Sequence, residues 1–211
     1  MDTTQTILYY VHDPMCSWCW GFRPTWQVIM ERLDKDIHVQ YLLGGLAPDT
    51  DDPMPQALQT TIHNTWKRIQ QTIPGTEFNF DFWTVCQPRR STYPSCRAVI
   101  ATRQQAPAQE EAMLLAIQEA YYLQARNPSD DDVLIDLARG LDLDTGQFSR
   151  DLSSPETRQV LLSEIRLCRE LGARSFPGLV LKHDDDIHML RLDYNDPDVI
   201  CRQIEIYLDT G

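Results

Sequence analysis

The hydrophobic pattern at the start of the chain predicts a strand, a helix and a second strand. Ile7–Val11 is an apolar, β-branched and aromatic run typical of a buried parallel strand. From Cys16 to Leu33 the apolar positions follow a helical period, and Pro24 is expected to kink that helix. Ile37–Leu43 forms the next apolar run, and two glycines close it. This order predicts a right-handed unit of two parallel strands joined by a helix.

The middle of the chain, 47–172, shows helical signals and no strand framework of its own. Phe78–Gln87 is rich in aromatic residues and remains ambiguous. The helices expected here are Pro53–Ile73, Tyr93–Gln105, Ala108–Ala125, one capped by Ser129 and followed by Gly140, Asp144–Leu152, and one capped by Ser154 that starts at Pro155 and ends before Gly172. Together they predict a large all-helical insertion.

After the insertion the pattern returns to sheet. Gly178–His183 and Ile187–Leu192 predict an antiparallel hairpin turning at Asp184–Asp186. A last helix starts near Asn195 and buries a stripe of Ile200, Ile204 and Tyr207. The fold class is therefore α/β: a mixed four-stranded sheet with helices on both faces, built from 1–46 and 173–211, with 47–172 inserted.

Composition and charge narrow the possible functions. The 211 residues are 42% apolar and 24% charged, typical of a globular protein, with a formal net charge of −12. Such a charge disfavours general binding to nucleic acids and to anionic membranes. The longest apolar runs are too short to span a bilayer, and the polar N-terminus lacks the apolar core of a signal peptide. We therefore expect a cytoplasmic protein.

Cys16-Ser17-Trp18-Cys19 carries the strongest chemical signal. Two cysteines spaced in this way at a helix N-terminus can close a small disulfide. Unpaired backbone N–H groups at that terminus favour a thiolate on the first, and the second can resolve a mixed disulfide. Two alternatives stay open: incidental thiols, or a metal site, although zinc would require a second pair that Cys86 and Cys96 do not form. We expect no metal.

The chain resembles thioredoxin-fold oxidoreductases of the DsbA-like family. The resemblance rests on the dithiol motif with Trp20-Gly21 and Pro24, on Phe176-Pro177 before a strand, and on the helical insertion. It covers the whole chain and is greatest to the cytosolic branch of disulfide isomerases. FrnE-type proteins and glutathione-dependent enzymes of kappa type are more distant relatives.

The resemblance implies a role for each matching residue. Cys16 is the nucleophile and Cys19 the resolving thiol. Pro177 is a cis-proline that faces the disulfide, and Phe176 offers backbone hydrogen bonds to an extended substrate. Ser17 and Trp18 complete the substrate-facing loop. They replace the Pro-His pair of strongly oxidising members, so we expect weaker thiolate stabilisation and a more reducing potential.

Further residues near the motif are possible modulators. Asp13 would disfavour a nearby thiolate, or is a simple turn residue. His12 would contact the thiolate or leaving group, or merely ends a strand. Cys96 is expected to be a buried spectator, although it could react or pair with Cys86. Two sets complete the candidates: Cys168 and Cys201, expected in the core, and the aromatic residues Phe78, Phe80, Phe82 and Trp83, expected to pack the insertion or to line a groove.

The sequence therefore predicts a thiol–disulfide oxidoreductase, with the reductase or isomerase direction favoured because cytosolic dithiols rest reduced. Its partners would be disulfide-containing proteins or peptides, or glutathione, and no organic cofactor is required. Two alternatives remain: a glutathione-dependent small-molecule isomerase or transferase of kappa type, and a redox-switched peptide-binding module.

Overall fold

A four-stranded mixed sheet forms the centre of the computed structural model, which describes residues 6–209. The strands are β1 (Thr6–His12), β2 (Ile37–Leu43), β3 (Gly178–His183) and β4 (Asp186–Met189). Their order is β2-β1-β3-β4, with β1 parallel to β2 and antiparallel to β3, and with β3 antiparallel to β4. The predicted fold class is confirmed.

Helices cover both faces of the sheet, and successive side chains of β1 are buried against opposite faces. Leu8 and Tyr10 pack against helices α1 (Ser17–Arg32) and α9 (Pro197–Asp209). Tyr9 and Val11 face the opposite side, where they meet α8 (Pro155–Glu170). Strand β1 is therefore buried on both faces, as its continuous apolar run predicts.

Helices α2 to α8 fall between β2 and β3, as expected for the insertion. These helices are α2 (Gln56–Thr72), α3 (Phe82–Val85), α4 (Tyr93–Gln105), α5 (Glu110–Tyr122), α6 (Asp131–Gly140), α7 (Thr145–Leu152) and α8. A 3-10 turn at Pro107–Gln109 precedes α5. Their own core meets the sheet at Leu43 and Ile165. The division of the chain into a thioredoxin-like domain, 1–46 with 173–211, and an inserted helical domain, 47–172, stays a prediction.

Two local predictions are wrong in detail, and the structure resolves one segment that the sequence left open. Ser129 does not cap α6: its hydroxyl donates instead to the carbonyl of Ser91 at 2.7 Å, and the helix begins after Asp130. Gly140 is the last residue of α6 rather than the residue beyond it. The ambiguous aromatic segment forms only one short helix, α3.

Strand β4 also ends earlier than the predicted Leu192, and Asp186 belongs to it rather than to the turn. The side chain of Gln203 on α9 explains the early end. Its amide accepts from the backbone N–H of Arg191 at 2.8 Å and donates to the carbonyl of Arg191 at 2.9 Å. At Arg191, hydrogen bonds to a helix side chain thus replace the backbone hydrogen bonds that would continue the hairpin.

The predicted ends of α8 are confirmed. The hydroxyl of Ser154 accepts from the backbone N–H of Thr157 at 3.0 Å, and Gly172 follows the helix with a φ of 81°. Helix α1 runs through Pro24. Within residues 6–209, no helix is long and apolar enough to cross a membrane.

Candidate active site

The junction of β1 and α1 presents the dithiol at a helix terminus. The carboxylate of Asp13 accepts from the backbone N–H of Met15 at 2.8 Å, and the carbonyl of Asp13 accepts from that of Cys16 at 3.0 Å. This tight turn leaves Cys16 as the N-cap residue, in extended conformation and with no side-chain cap on the helix. The N–H groups of the first turn are thus available to a thiolate.

The two cysteines differ in environment, and both are free thiols. The Cys16 side chain is 6% exposed, whereas that of Cys19 is 1% exposed. Burial raises the pKa of Cys19 well above its ordinary value, and a hydrogen bond with Cys16 and the charge of Cys16 add to the effect. Cys19 therefore stays protonated until a reaction step draws it into attack.

The loop before β3 closes the other side of Cys16. The Phe176–Pro177 peptide bond is cis, as the resemblance implies. The Cys16 thiol donates to the carbonyl of Phe176 at 3.5 Å. Gly44 receives the Phe176 ring, since a Cβ on Gly44 would lie 1.9 Å from a ring carbon. No sequence pattern predicts that Gly44 positions this loop.

Asp13 is more than a turn residue. It is fully buried, and its second carboxylate oxygen accepts from the backbone N–H of Leu46 and from the hydroxyl of Thr92, both at 2.7 Å. The thiol of Cys96 lies 3.5 Å from the same oxygen. Burial raises the pKa of Asp13, and these hydrogen bonds oppose the rise. The carboxylate thus ties the dithiol turn to the insertion.

Cys96 is buried, as expected, and its pKa is raised well above the ordinary value by burial and then by the charge of Asp13. The sequence did not predict its contact with Asp13. Cys86 does not pair with it, because the Cys86 thiol donates to the carbonyl of Ala125 at 3.0 Å. Cys168 is buried, and Cys201 is partly buried beside the core of α1 and α9.

His12 is 1% exposed and surrounded by aromatic rings. It stacks on Tyr10 with ring centroids 5.3 Å apart and meets the edge of Tyr41 at 5.8 Å. Burial lowers its pKa to about 3, with further lowering by Arg103 and Arg23. Its Nδ1 has no hydrogen-bond partner among the described residues. His12 is therefore neutral, and its predicted contact with the thiolate stays a prediction.

Trp18 is the partly exposed side chain between the two cysteines. Its ring lies 5.0 Å from that of Tyr194, and the guanidinium carbon of Arg68 on α2 lies 5.3 Å from its centroid. Ser17, the other residue between the cysteines, is buried. Trp18 is thus the intervening side chain that an incoming substrate can meet.

The aromatic residues of 78–83 pack the insertion. They surround the buried Trp66 together with tyrosines of α5. Trp20 of α1 stacks on one of these, Tyr122, with centroids 5.6 Å apart, and its indole N–H donates to the carbonyl of Glu77 at 3.0 Å. The cluster thus anchors the dithiol helix to the insertion, and the packing alternative is the correct one.

A cavity of about 350 Å³ opens behind Cys19, between α1 and α5. No sequence pattern predicts this cavity, because its walls come from four separate elements, β1, α1, β2 and α5. The lining includes Tyr10, Arg23, Trp26, Tyr41, Glu111 and Gln118. Within residues 6–209, no group of three or more His, Cys, Asp or Glu is arranged to hold a metal ion, at this cavity or at any other place.

Solved structures share this architecture closely. A Nitrosomonas europaea protein provisionally named a protein disulfide isomerase has a TM-score of 0.84 and 26% identity, with 98% of this chain and 99% of that chain covered. The cytosolic disulfide reductase DsbM from Pseudomonas aeruginosa has a TM-score of 0.75 and 27% identity, covering 97% and 100%. The same reductase with GSH has a TM-score of 0.73.

Curated relatives are more distant. The ClpXP adapter protein SpxH of Halalkalibacterium halodurans is 24% identical over 183 residues, which is 84% of this chain. The chain spans 59% of the length of that relative. A family model described as thioredoxin matches residues 9–199, which include the dithiol and the cis-proline. The chain therefore belongs to this thioredoxin family and has the fold of its DsbA-like disulfide oxidoreductases.

Proposed function

We propose that the chain is a thiol–disulfide oxidoreductase that works as a cytoplasmic reductase or isomerase. The observation that carries the proposal is the placement of Cys16 at the N-terminus of α1, with its thiol 3.5 Å from the carbonyl that precedes cis-Pro177. The similarity to the cytosolic reductase DsbM supports the direction and the compartment.

The proposed reaction follows from the difference between the two thiols. The Cys16 thiolate attacks a substrate disulfide, forms a mixed disulfide and releases one substrate thiolate, which takes up a proton. Cys19 then loses its proton and attacks the sulfur of Cys16, so that the second substrate thiolate leaves. The dithiol gives up two electrons and becomes a disulfide, and the substrate is reduced.

An external thiol must return the enzyme to the dithiol form, and we propose glutathione for that role. The structure of DsbM with GSH supports this choice. Neither half-reaction needs an organic cofactor, because sulfur is both the nucleophile and the leaving group. Disulfide-containing proteins, peptides or small disulfides would be the substrates.

The reduction potential of the Cys16–Cys19 pair tests the proposal. It is measured by equilibrating the protein in glutathione buffers and following tryptophan fluorescence, since Trp18 and Trp20 flank the second cysteine. A value near that of thioredoxin, about −270 mV, is expected for a reductase. A value near −120 mV would indicate an oxidant, and the absence of a two-electron transition would overturn the proposal.

The curated relatives favour a second candidate, a redox-switched protein-binding module. SpxH is named an adapter protein, and the match covers 84% of this chain. Such a module would bind a peptide or protein with negligible disulfide turnover. Binding that persists in a Cys16→Ser, Cys19→Ser double variant, together with no turnover by the unmodified chain, would favour it over the reductase.

A further inference from the structure

In the second half of the proposed reaction, the resolution step, Cys19 has to lose its proton in a place that supports an ionised sulfur poorly. Its side chain is 1% exposed. Burial raises the pKa of Cys19 well above its ordinary value, and a hydrogen bond from the backbone of Asp13 offsets part of the rise. In the mixed disulfide the substrate occupies the Cys16 side, so further support for the Cys19 thiolate has to come from the interior.

Asp13, the buried carboxyl group within electrostatic reach of Cys19, is already engaged. One of its oxygens accepts from the backbone N–H of Met15. The other accepts from the backbone N–H of Leu46 and from the hydroxyl of Thr92. Its side chain is therefore bound to the surrounding chain, and a different group must support the sulfur of Cys19.

The cavity of about 350 Å³ provides an interior space next to that sulfur. Tyr10 of β1 and Glu111 of α5 also line it, and Glu111 is exposed, so the cavity opens to solvent there. Its volume is large enough for several water molecules. The part of its lining that belongs to α1 follows one face of the helix at helical spacing, namely Cys19, Arg23, Trp26 and Met30.

Tyr10 brings an unpartnered hydroxyl group to this cavity. Its side chain is 4% exposed, and its ring stacks on that of Trp26 with centroids 4.5 Å apart. Its hydroxyl makes no hydrogen bond to another group of residues 6–209, and the oxygen is not sealed within the protein, so it borders the cavity. Burial raises the pKa of Tyr10 well above its ordinary value, and the charge of Cys19 adds to the rise. Tyr10 thus remains an O–H donor within electrostatic reach of Cys19.

We propose that Tyr10 is a catalytic residue of the resolution step, in which its hydroxyl donates a hydrogen bond to the sulfur of Cys19 as negative charge develops there. The inference rests on the proposed oxidoreductase function and adds a residue to its mechanism. Cys19 gives its proton to water in the cavity and forms a bond to the sulfur of Cys16. The substrate thiolate leaves with the electron pair of the broken S–S bond. The O–H bond of Tyr10 stays intact, so Tyr10 stabilises charge without titrating.

Three other groups also act on the surroundings of Cys19 and define the comparisons. Tyr122 and Tyr194 lie within electrostatic reach of Cys19. The hydroxyl of Tyr122 is sealed within the protein and has no partner among the described residues, so it is the rival donor. Arg23 is the cation of the cavity, and it donates to the side-chain oxygen of Gln118 at 3.4 Å.

A neutral small disulfide separates the two steps of the reaction. Reduced protein is mixed with excess bis(2-hydroxyethyl) disulfide, quenched with acid at intervals and analysed intact by mass spectrometry. The mixed disulfide on Cys16 forms at a rate that depends on the disulfide concentration, whereas its conversion to the Cys16–Cys19 disulfide does not. The variants are Tyr10→Phe, Tyr122→Phe and, as a matched control, Tyr9→Phe, which removes a hydroxyl from the opposite face of β1.

Tyr10→Phe is expected to slow the resolution step about tenfold, which corresponds to one hydrogen bond to a charged group, and to leave the first step within about twofold. Between about pH 6 and pH 9 the variant should need about one pH unit more to reach the same resolution rate. Its urea denaturation should match that of the unmodified protein, because the hydroxyl has no partner to lose. Tyr9→Phe and Tyr122→Phe should resolve the mixed disulfide at the unmodified rate.

Three results would overturn the assignment while leaving the oxidoreductase intact. An equal loss in both steps would show that Tyr10 acts through packing. An unchanged resolution step in Tyr10→Phe would show that its hydroxyl does not support Cys19, and a slow resolution step in Tyr122→Phe alone would make Tyr122 the donor. If the unmodified protein forms no mixed disulfide at all, the proposed function is overturned and this inference with it.

Discussion

The outer and inner sides of the dithiol are built differently. On the outer side, Cys16 meets a carbonyl at 3.5 Å, and the partly exposed Trp18 carries an exposed arginine. On the inner side, Cys19 is buried and lies within the electrostatic reach of Asp13, which is itself fully buried. The outer side thus exposes side chains to solvent, whereas the inner side surrounds Cys19 with buried groups that act on its pKa.

The same division appears in how the two sides are held. The outer loop depends on shape, since the Phe176 ring occupies the space that a side chain on Gly44 would need. The inner side depends on hydrogen bonds, because Asp13 binds backbone and side-chain donors from three parts of the chain. Substitutions on the outer side should therefore mainly change disulfide turnover, whereas substitutions on the inner side should mainly change how the stability of the fold depends on pH.

Replacing each cysteine should give the largest effects. Cys16→Ser is expected to abolish disulfide turnover, by a factor of at least about 10³, because the attacking sulfur is lost. Cys19→Ser should instead accumulate a mixed disulfide on Cys16, since no thiol remains to resolve it. Mass spectrometry of the intact protein after exposure to a disulfide distinguishes the two.

Cys201→Ser is the control for that experiment, because Cys201 lies on α9, beside the core of α1 and α9 and apart from the dithiol. It should retain full turnover. A mixed disulfide that forms in Cys16→Ser but not in Cys19→Ser would contradict the assigned roles and make Cys19 the first nucleophile.

His12 should make the fold sensitive to acid. Its pKa falls from an ordinary 6.5 to about 3 in the folded protein, so below about pH 6.5 the unfolded chain takes up a proton that the folded chain refuses. The free energy of unfolding therefore decreases as the pH drops from about 6.5 to 3. In His12→Phe, which keeps a ring against Tyr10, we expect this loss to shrink by on the order of 3–4 kcal/mol.

Urea denaturation at intervals between pH 7 and pH 4 measures the effect as a difference between the two proteins. His38→Phe, at an exposed position near the start of β2, controls for the added apolar ring. If His12→Phe loses stability on acidification as steeply as the unmodified protein, His12 is not the buried neutral group that the structure describes.

Gly44→Ala should disturb the outer side. The added Cβ would lie 1.9 Å from the Phe176 ring, so the cis-proline loop must shift, at a cost of about 1–3 kcal/mol. Turnover should fall more than stability, because that loop supplies the carbonyl against Cys16. Gly140→Ala is the matched control, since nothing lies within 4 Å of its added Cβ and it should be neutral or slightly stabilising.

Local patterns were sufficient to predict most of the fold. The apolar run of β1, the cap at Ser154 and the glycine at 172 each act within a few residues, so sequence alone predicts them. The dithiol and the cis-Pro177 followed from a family motif. Ser129 shows the limit: a good capping residue serves a distant carbonyl instead, because tertiary contacts override local preference.

The inner side could not be predicted, because its contacts join residues far apart in sequence. Asp13 and Thr92 are 79 residues apart, and Cys96 lies 83 residues from Asp13. The Gly44–Phe176 contact joins the two separate halves of the sheet domain, and the contact of Arg68 with Trp18 forms only when α2 of the insertion lies beside α1. A sequence pattern identifies the reactive atoms here, whereas the groups that tune them depend on tertiary packing.

The smallest expected effect concerns the buried carboxyl group of Asp13 and the way it makes stability depend on pH. Its pKa is raised by burial, so above the ordinary aspartate value of about 4 the folded protein retains a proton that the unfolded chain has lost. The free energy of unfolding should therefore decrease as the pH rises through the folded pKa, opposite in direction to the effect of His12. Asp13→Asn carries no titrating proton, so this decrease should disappear.

Asp13→Asn should cost about 1 kcal/mol at pH 4, because one oxygen acceptor becomes an amide donor facing the N–H of Leu46. Thr92→Val is the matched variant: it removes the hydroxyl donor but keeps the carboxyl group, so the decrease in stability should remain and extend to higher pH, because the pKa of Asp13 rises further when its ionised form loses a hydrogen bond. Denaturation curves from pH 4 to pH 8 measure all three proteins. If the free energy of unfolding changes in parallel with pH for Asp13→Asn and the unmodified protein, the buried carboxyl group does not cause the decrease at higher pH. The inner side of the dithiol then depends on packing and not on the charge of Asp13.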